Sequence, residues 1–550
     1  MGVRVRNNRR PAVEIAHGDG DPRAPERVFG VPNRLALAVA GATALILAFP
    51  PFSWWWTAPI GVAAIAVSTR GASLRTAALA GVLAGLVFFG GLLSWMMIVG
   101  VDAWIALTVL CAGWWAILFT AQSLVQRLSW WPVLVPALWV ASETVRGSIP
   151  LGGFPWGRLV FSQSESPLLP LTATFGPAGI TYLVALFACL LAAAFIAPDR
   201  SGVMSYLAGG ALLLGVLGVV GFADDRRAWA SGGDSTANVA VVQGGVPGVG
   251  LSAMAERRVV LDNHARLTTS LGARLTSTDS ELDFVVWPES STDIDPFEDP
   301  TAREDIDAAV QAVGVPVLVG AVVEVPGDPS RVANMGIVWD PLTGPGQSYV
   351  KRHPVPFGEY VPFRPQLGQL VDRFALVPRD FVAGERAGIL AIGGVKVGDV
   401  ICFEVAYDGL VRDVVSQGAQ LIIVQTNNAT YGGSGQLAQQ LAMSRVRAAE
   451  HGRTVLVAAT SGISAIIEPD GSMASSIADG DAGVLIGRVP LRDDTTLATK
   501  WGSTIETLLI VTALGALAWS VAGAIRTRRR RAAKITAPFG ILRSGRATRS

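Results

Sequence analysis

Glu289, Lys351 and Cys402 are the residues of this 550-residue chain whose types and flanks could do chemistry. Cys402 stands in Val397-Gly-Asp-Val-Ile-Cys-Phe-Glu404, outside the hydrophobic runs that hold the other two cysteines, Cys111 and Cys189. A lone cysteine in a polar domain has no internal disulfide partner, so its thiol either packs or reacts. Glu289 closes Phe284-Val-Val-Trp-Pro-Glu289, which reads as a buried strand ending on a carboxylate. Lys351 follows Tyr349-Val at the end of another expected strand, ahead of the loop Arg352-His-Pro-Val-Pro-Phe-Gly-Glu359. Singly, each has a plain structural reading: strand packing, a turn cap, solvated surface. At three strand ends, a carboxylate, an ammonium and a thiol together are the base, cation and nucleophile of an acyl-transfer site.

A thiol of ordinary pKa, about 8.5, is only a few per cent ionised at neutral pH and needs help to attack an acyl carbonyl. Glu289 could take its proton and return it to the leaving group. Lys351 could stabilise the thiolate and then the oxyanion of a tetrahedral intermediate. Cys402 is expected where a strand over 397–403 gives way to a helix, which exposes the sulfur and lends it the positive potential of backbone N–H groups. A Cys/His pair is the rival chemistry. Of His17, His264, His353 and His451, only His353 and His451 lie near these segments, and neither has an evident orienting partner. No Cys, His and acidic residues have the spacing of a zinc site, so no metal is expected.

The elements that position these residues divide the chain. It is 51% hydrophobic and only 16% charged, against about 25% charged in average soluble proteins. Charge nearly vanishes between residues 35 and 222 and returns between 224 and 494. Runs of about 20 apolar residues cross a bilayer as helices. Spans are expected at 35–50, 56–69, 77–97, 103–125, 131–146, 172–197 and 204–222, and an eighth at 504–525. Domains follow: a basic tail (1–33), a seven-helix membrane domain (34–223), a soluble domain (232–495), the eighth helix (504–525) and a second basic tail (526–550).

Arginine sets the orientation. The N-terminal end carries Arg4, Arg6, Arg9, Arg10, Arg23, Arg27 and Arg34, and the C-terminal tail carries Arg526, Arg528, Arg529, Arg530, Arg531 and Lys534. Short loops with Arg70, Arg75, Arg127 and Arg200 alternate with loops nearly free of positive charge. Both tails and those loops are therefore expected on the cytoplasmic side, and seven spans deliver the soluble domain to the outer face. The tails show no apolar period and read as disordered. Their charge is explained by topology and anionic lipid, so no nucleic-acid partner is expected.

Within the soluble domain, β-branched runs at 237–243, 284–287, 315–323, 336–339, 397–403, 421–425, 454–458 and 464–467 alternate with helical patterns at 251–271, 302–313, 410–417 and 436–451. This predicts an α/β domain with buried strands. No glycine fingerprint follows a strand, so nucleotide binding has no support.

With these flanks, the chain resembles the apolipoprotein N-acyltransferase family, the membrane-embedded branch of the nitrilase (carbon–nitrogen hydrolase) superfamily, over residues 34–525. The resemblance rests on Gly153-Phe-Pro-Trp156, Trp287-Pro-Glu289, Lys351 with Val355-Pro-Phe-Gly-Glu-Tyr360, Ile401-Cys-Phe-Glu404, Thr426-Asn-Asn-Ala429 and Ala442-Met-Ser-Arg-Val-Arg447. It implies an α-β-β-α sandwich and a catalytic triad of Glu289, Lys351 and Cys402, with Glu359, Glu404, Phe403, Trp156 and Asn427 supporting it. It also implies an acyl chain moved from a membrane phospholipid, through a cysteine thioester, to the N-terminal diacylglyceryl-cysteine of an apolipoprotein in the bacterial inner membrane, with no cofactor. Phe403 stands where the family has Tyr, and Val457 where it has Arg. A membrane-anchored amidase using water, or an inactive scaffold, is the alternative; the number of spans disfavours the first and the intact triad the second. Residues 357–382 carry Phe357, Val361, Phe363, Leu367, Leu370, Phe374 and Leu376, read either as a packed loop or as a lid that dips toward the bilayer.

Overall fold

The computed structural model describes residues 29–230, 235–248, 258–367 and 377–536. The tails expected to be disordered fall mainly outside these residues, as do Leu370, Phe374, Leu376 and the first turns of the helix expected at 251–271.

The N-terminal part is a bundle of α1 (Val31–Ala48), α2 (Thr57–Thr69), α3 (Leu74–Leu92), α4 (Val101–Val125), α5 (Trp131–Arg146), α6 (Thr172–Ile196) and α7 (Arg200–Ala230). Small residues let these helices approach closely. A Cβ at Gly81 would lie 2.5 Å from the Trp115 carbonyl of α4, and one at Gly85 would lie 2.6 Å from Ala112 Cα. Among the described residues, six helices are long and apolar enough to cross a membrane: α1, α3, α4, α6, α7 and the C-terminal helix. The other two expected spans are helical but short. α2 has 13 residues. α5 has 16 residues, a length of about 24 Å against an apolar bilayer of about 30 Å. The expected span at 77–97 breaks after Leu92 into a 3-10 turn over Ser94–Ile98.

The C-terminal part is built from β1 (Thr236–Gln243), α8 (Val259–Thr278), β2 (Phe284–Val286), α9 (Pro300–Val313), β3 (Val317–Val325), β4 (Asp328–Asp340), β5 (Gly344–Val350), α10 (Arg364–Leu367), β6 (Asp380–Phe381), β7 (Ile389–Ile392), β8 (Val395–Ile401), α11 (Asp408–Ser416), β9 (Leu421–Thr426), α12 (Gly435–His451), β10 (Val455–Ala459), β11 (Ser464–Ile467), β12 (Met473–Ile477) and β13 (Gly483–Pro490). The last helix, α13 (Leu497–Thr536), runs well past the span expected at 504–525. One sheet has the order β13-β1-β2-β3-β4-β5 with β6 beside β4, and the other β12-β11-β10-β9-β8-β7. End signals are readable: Asp299 caps α9 and Gly314 closes it at φ 74°, while Ser434 caps α12 and Gly452 closes it at φ 60°.

Three apolar layers hold this part together. Val241, Phe284 and Leu318 of the first sheet meet Val397, Ile401 and Ile423 of the second. α8 and α9 cover the first sheet through Leu261, Leu271, Ile306 and Val310. The outer face of the second sheet, α11 and α12 packs into one core with α1–α6, from Ala38 and Phe88 to Val411 and Met443. The sandwich is therefore α-β-β-α, and its α11/α12 layer is continuous with the helical bundle. Several strand boundaries depart from expectation, and one bears on the site: β8 ends at Ile401, so Cys402 opens a 3-10 turn, Cys402–Ala406, instead of lying within the strand.

Candidate active site

Cys402 has φ 55°, a left-handed conformation that a residue with a Cβ adopts only where its surroundings impose it. Glu404 supplies that constraint. Its Oε2 accepts the Ile401 N–H at 2.8 Å, and its Oε1 accepts the N–H groups of Arg352 at 2.7 Å and His353 at 3.0 Å. The Tyr349 hydroxyl donates to the same carboxylate at 2.9 Å. Burial pushes the Glu404 pKa up, partly offset by the N–H bonds. This carboxylate ties the Cys402 turn to the strand end that carries Lys351, and it reaches neither the sulfur nor the ammonium directly.

Lys351 is buried at the end of β5, and its Nζ donates to Glu289 Oε1 at 2.9 Å and Glu359 Oε1 at 2.9 Å. Burial opposes its charge, but Glu289 and Glu359 outweigh burial and hold its pKa above the ordinary lysine value. Asn334 Nδ2 repeats the bridge, donating to Glu289 Oε1 at 2.7 Å and Glu359 Oε1 at 2.9 Å. Asn427 contributes its backbone N–H to the other Glu289 oxygen at 2.8 Å, and Val355 N–H binds Glu359 Oε2 at 2.6 Å. Two carboxylates are thus fixed around one ammonium, and the Lys351 charge acts on the Cys402 thiol.

The Cys402 sulfur is met by Thr426 Oγ1 at 3.3 Å and Gln440 Nε2 at 3.8 Å. Although the residue is partly accessible, burial of the thiol and the nearby Glu289 push its pKa up to about 12, with Lys351 pulling the other way. The resting group is a thiol. Glu289 is the carboxylate that acts most strongly on it.

Loops of the helical bundle complete the surroundings. Phe403 stacks on Phe154 and Trp156, each at 5.9 Å between ring centres. Trp156 packs against Trp95, and Trp95 against Tyr431. The Phe403 ring thus faces aromatic partners, with Tyr407 packed edge-on against it as well. Val457 lies in β10 opposite Val424 and is buried. His353 packs on the Tyr407 ring and His451 pairs with Thr499, so among the described residues neither histidine hydrogen-bonds Cys402.

The five residues expected to support the triad separate by place. Glu359 shares Lys351; Glu404 fixes backbone; Asn427 acts through its N–H; Trp156 and Phe403 form the wall. Sequence reasoning missed Asn334, Gln439 and Gln440, uncharged polar residues with no motif of their own; the signal for Gln439 and Gln440 is the run of glutamines, with Gln436, in the first turns of the buried α12. Residues 357–382 expose Phe363 to 69% at φ 54° and bury Val361.

Comparison with known proteins identifies the family. The profile of the apolipoprotein N-acyltransferase N-terminal domain matches residues 41–190, and that of the carbon-nitrogen hydrolases matches residues 238–498. An apolipoprotein N-acyltransferase of Mycolicibacterium smegmatis is 37% identical over 88% of this chain and 84% of its own length. One from Methylococcus capsulatus is 30% identical over 85% of this chain and 92% of its own. Among solved structures, an amidase of the nitrilase superfamily from Nesterenkonia aligns at 17% identity and a TM-score of 0.33, covering 47% of this chain and 92% of that one.

Proposed function

Because the chain belongs to the apolipoprotein N-acyltransferase family, we propose that its site moves a fatty acyl chain from a membrane phospholipid, through a Cys402 thioester, to the N-terminal diacylglyceryl-cysteine of an apolipoprotein. One observation carries the reading: Glu289 and Lys351 are joined at 2.9 Å beside the Cys402 thiol, under an aromatic wall supplied by the helical bundle. A wall supplied by the helical bundle suits an acyl donor held in a bilayer.

In the first half-reaction Glu289 takes the thiol proton as the sulfur attacks the ester carbonyl. Lys351 stabilises the oxyanion, and Glu289 returns the proton to the departing lysophospholipid alkoxide. In the second, the lipoprotein amine attacks the thioester. Glu289 takes the amine proton and gives it to the leaving Cys402 thiolate, which restores the resting thiol. Glu359 and Asn334 hold Lys351 and Glu289 in place throughout.

The helical bundle and α13 lie in the bacterial inner membrane, with both termini cytoplasmic and the sandwich on the outer face. The arginine asymmetry supports this orientation. In cells depleted of their own apolipoprotein N-acyltransferase, the chain should restore triacylated lipoproteins and Cys402→Ala should not. Restoration by the alanine variant refutes the reading.

A further inference from the structure

Asp399 lies in β8 two residues from Val397 and from Ile401, and like them faces the apolar layer between the sheets. It is wholly buried, and apart from the Val400 N–H, which acts on the carboxyl without good hydrogen-bond geometry, neither oxygen has a partner among the described residues. On the adjacent strand, in register with Ile401, Gln425 donates from Nε2 to the Trp287 carbonyl at 2.6 Å. A carbonyl only accepts, so this bond fixes which end of the amide is nitrogen. Gln425 Oε1 is thereby turned away, and it too is buried without a donor.

The two orphaned acceptors converge. Asp399 Oδ2 and Gln425 Oε1 lie 2.0 and 2.7 Å from the point where a Cβ on Gly336 would stand, so glycine is the residue that admits them. Two buried acceptors at one spot leave one proton to be supplied. The ionisable groups that act on Asp399 are Tyr349 of β5, Glu404 after β8 and Glu289 after β2, and no cation is among them. Burial, with Glu404 and Glu289, holds the Asp399 pKa well above the usual carboxylate range, the Val400 N–H alone opposing.

We propose that Asp399 is a neutral carboxylic acid that donates to Gln425 Oε1, so that Asp399, Gln425 and the Trp287 carbonyl form a relay positioning the Trp287-Pro288-Glu289 turn against Cys402. Only the last link rests on Glu289 being the base. The proton on Asp399 stands apart from it. Asp399 touches no reacting atom and is a positioning residue.

The test compares wild type, Asp399→Asn and Asp399→Leu, as full chains in nanodiscs. A group whose pKa rises on folding stabilises the fold at low pH and loses that contribution as pH rises from its unfolded value toward its folded one. Asparagine keeps a donor without that loss. The melting temperature of Asp399→Asn relative to wild type should therefore climb from about pH 5 to about pH 8. A relative melting temperature that falls over this range overturns the neutral acid. Infrared spectra should show a protonated-carboxyl band that Asp399→Asn lacks, and its absence from wild type overturns it as well. Thioester formation should stay within about threefold of wild type in Asp399→Asn and fall at least about tenfold in Asp399→Leu. Loss in the asparagine variant, or none in the leucine variant, overturns the relay. A wild type that forms no thioester condemns the functional reading instead, and leaves the melting and infrared results to decide the protonation.

Discussion

The indole N–H of Trp156 donates to Gln439 Oε1 at 2.6 Å, joining the helical bundle to the sandwich beside Cys402. The same oxygen accepts Trp95 Nε1 at 3.2 Å, and Gln439 Nε2 donates to the carbonyls of Pro50 at 3.2 Å and Leu92 at 3.1 Å. Four bonds from one buried amide register three bundle loops on α12. Gln439→Leu leaves two indoles and two carbonyls unpaired, each worth about 1–3 kcal/mol. It should lower the melting temperature and cut acyl transfer from phospholipid at least about tenfold. Gln439→Glu keeps the indole bonds and should fall between. Wild-type transfer by Gln439→Leu contradicts the registering role.

Asn334 donates to both carboxylates that flank Lys351. A hydrogen bond to a charged group is worth about 1.5–3 kcal/mol, so Asn334→Leu should slow thioester formation roughly 10- to 100-fold. Asn334→Asp should be worse, because it sets a third carboxylate against Glu289 and Glu359. Single-turnover rates from a phospholipid donor measure both.

Much of this was legible in the sequence. The strand ends bearing Glu289 and Lys351, the α/β alternation and most apolar helices follow from hydropathy and turn residues. What escaped has physical reasons. β12 and β13 are half-exposed edge strands in which serines or glycines interrupt the apolar residues, as Gly483 and Gly487 bracket Val484-Leu485-Ile486. α5 reads as a span because it is mostly apolar, yet Glu143 on it binds Leu159 N–H and the Thr181 hydroxyl in the bundle interior. Asn334 and Gln439 act across sequence separations of 25 to 389 residues, which no local pattern encodes.

The thiol pKa of about 12 predicts how Cys402 meets reagents. Only the thiolate reacts, so alkylation should rise steadily with pH through about pH 9 without a plateau. Lys351→Met removes the charge that pulls this pKa down, so alkylation at a fixed pH should slow further. A plateau near neutral pH in wild type would falsify the account of the resting thiol.

Phe363, at 69% exposure, offers apolar surface on the segment read as a lid. A buried aromatic contact is worth roughly 1.5–3 kcal/mol. If Phe363 meets the lipid, Phe363→Ser should weaken use of phospholipid about tenfold or more while sparing a short, water-soluble thioester donor. Equal losses with both donors mean that Phe363 only holds the loop together.

The central claim is a covalent acyl group on Cys402. Incubation with phospholipid, followed by mass spectrometry of the peptide containing Cys402, should show the mass of one fatty acyl chain. The adduct should vanish on adding a diacylated lipopeptide, be absent from Cys402→Ala and fail to form in Glu289→Gln. Acyl transfer to the lipopeptide by Cys402→Ala, or an adduct on another residue, contradicts the account.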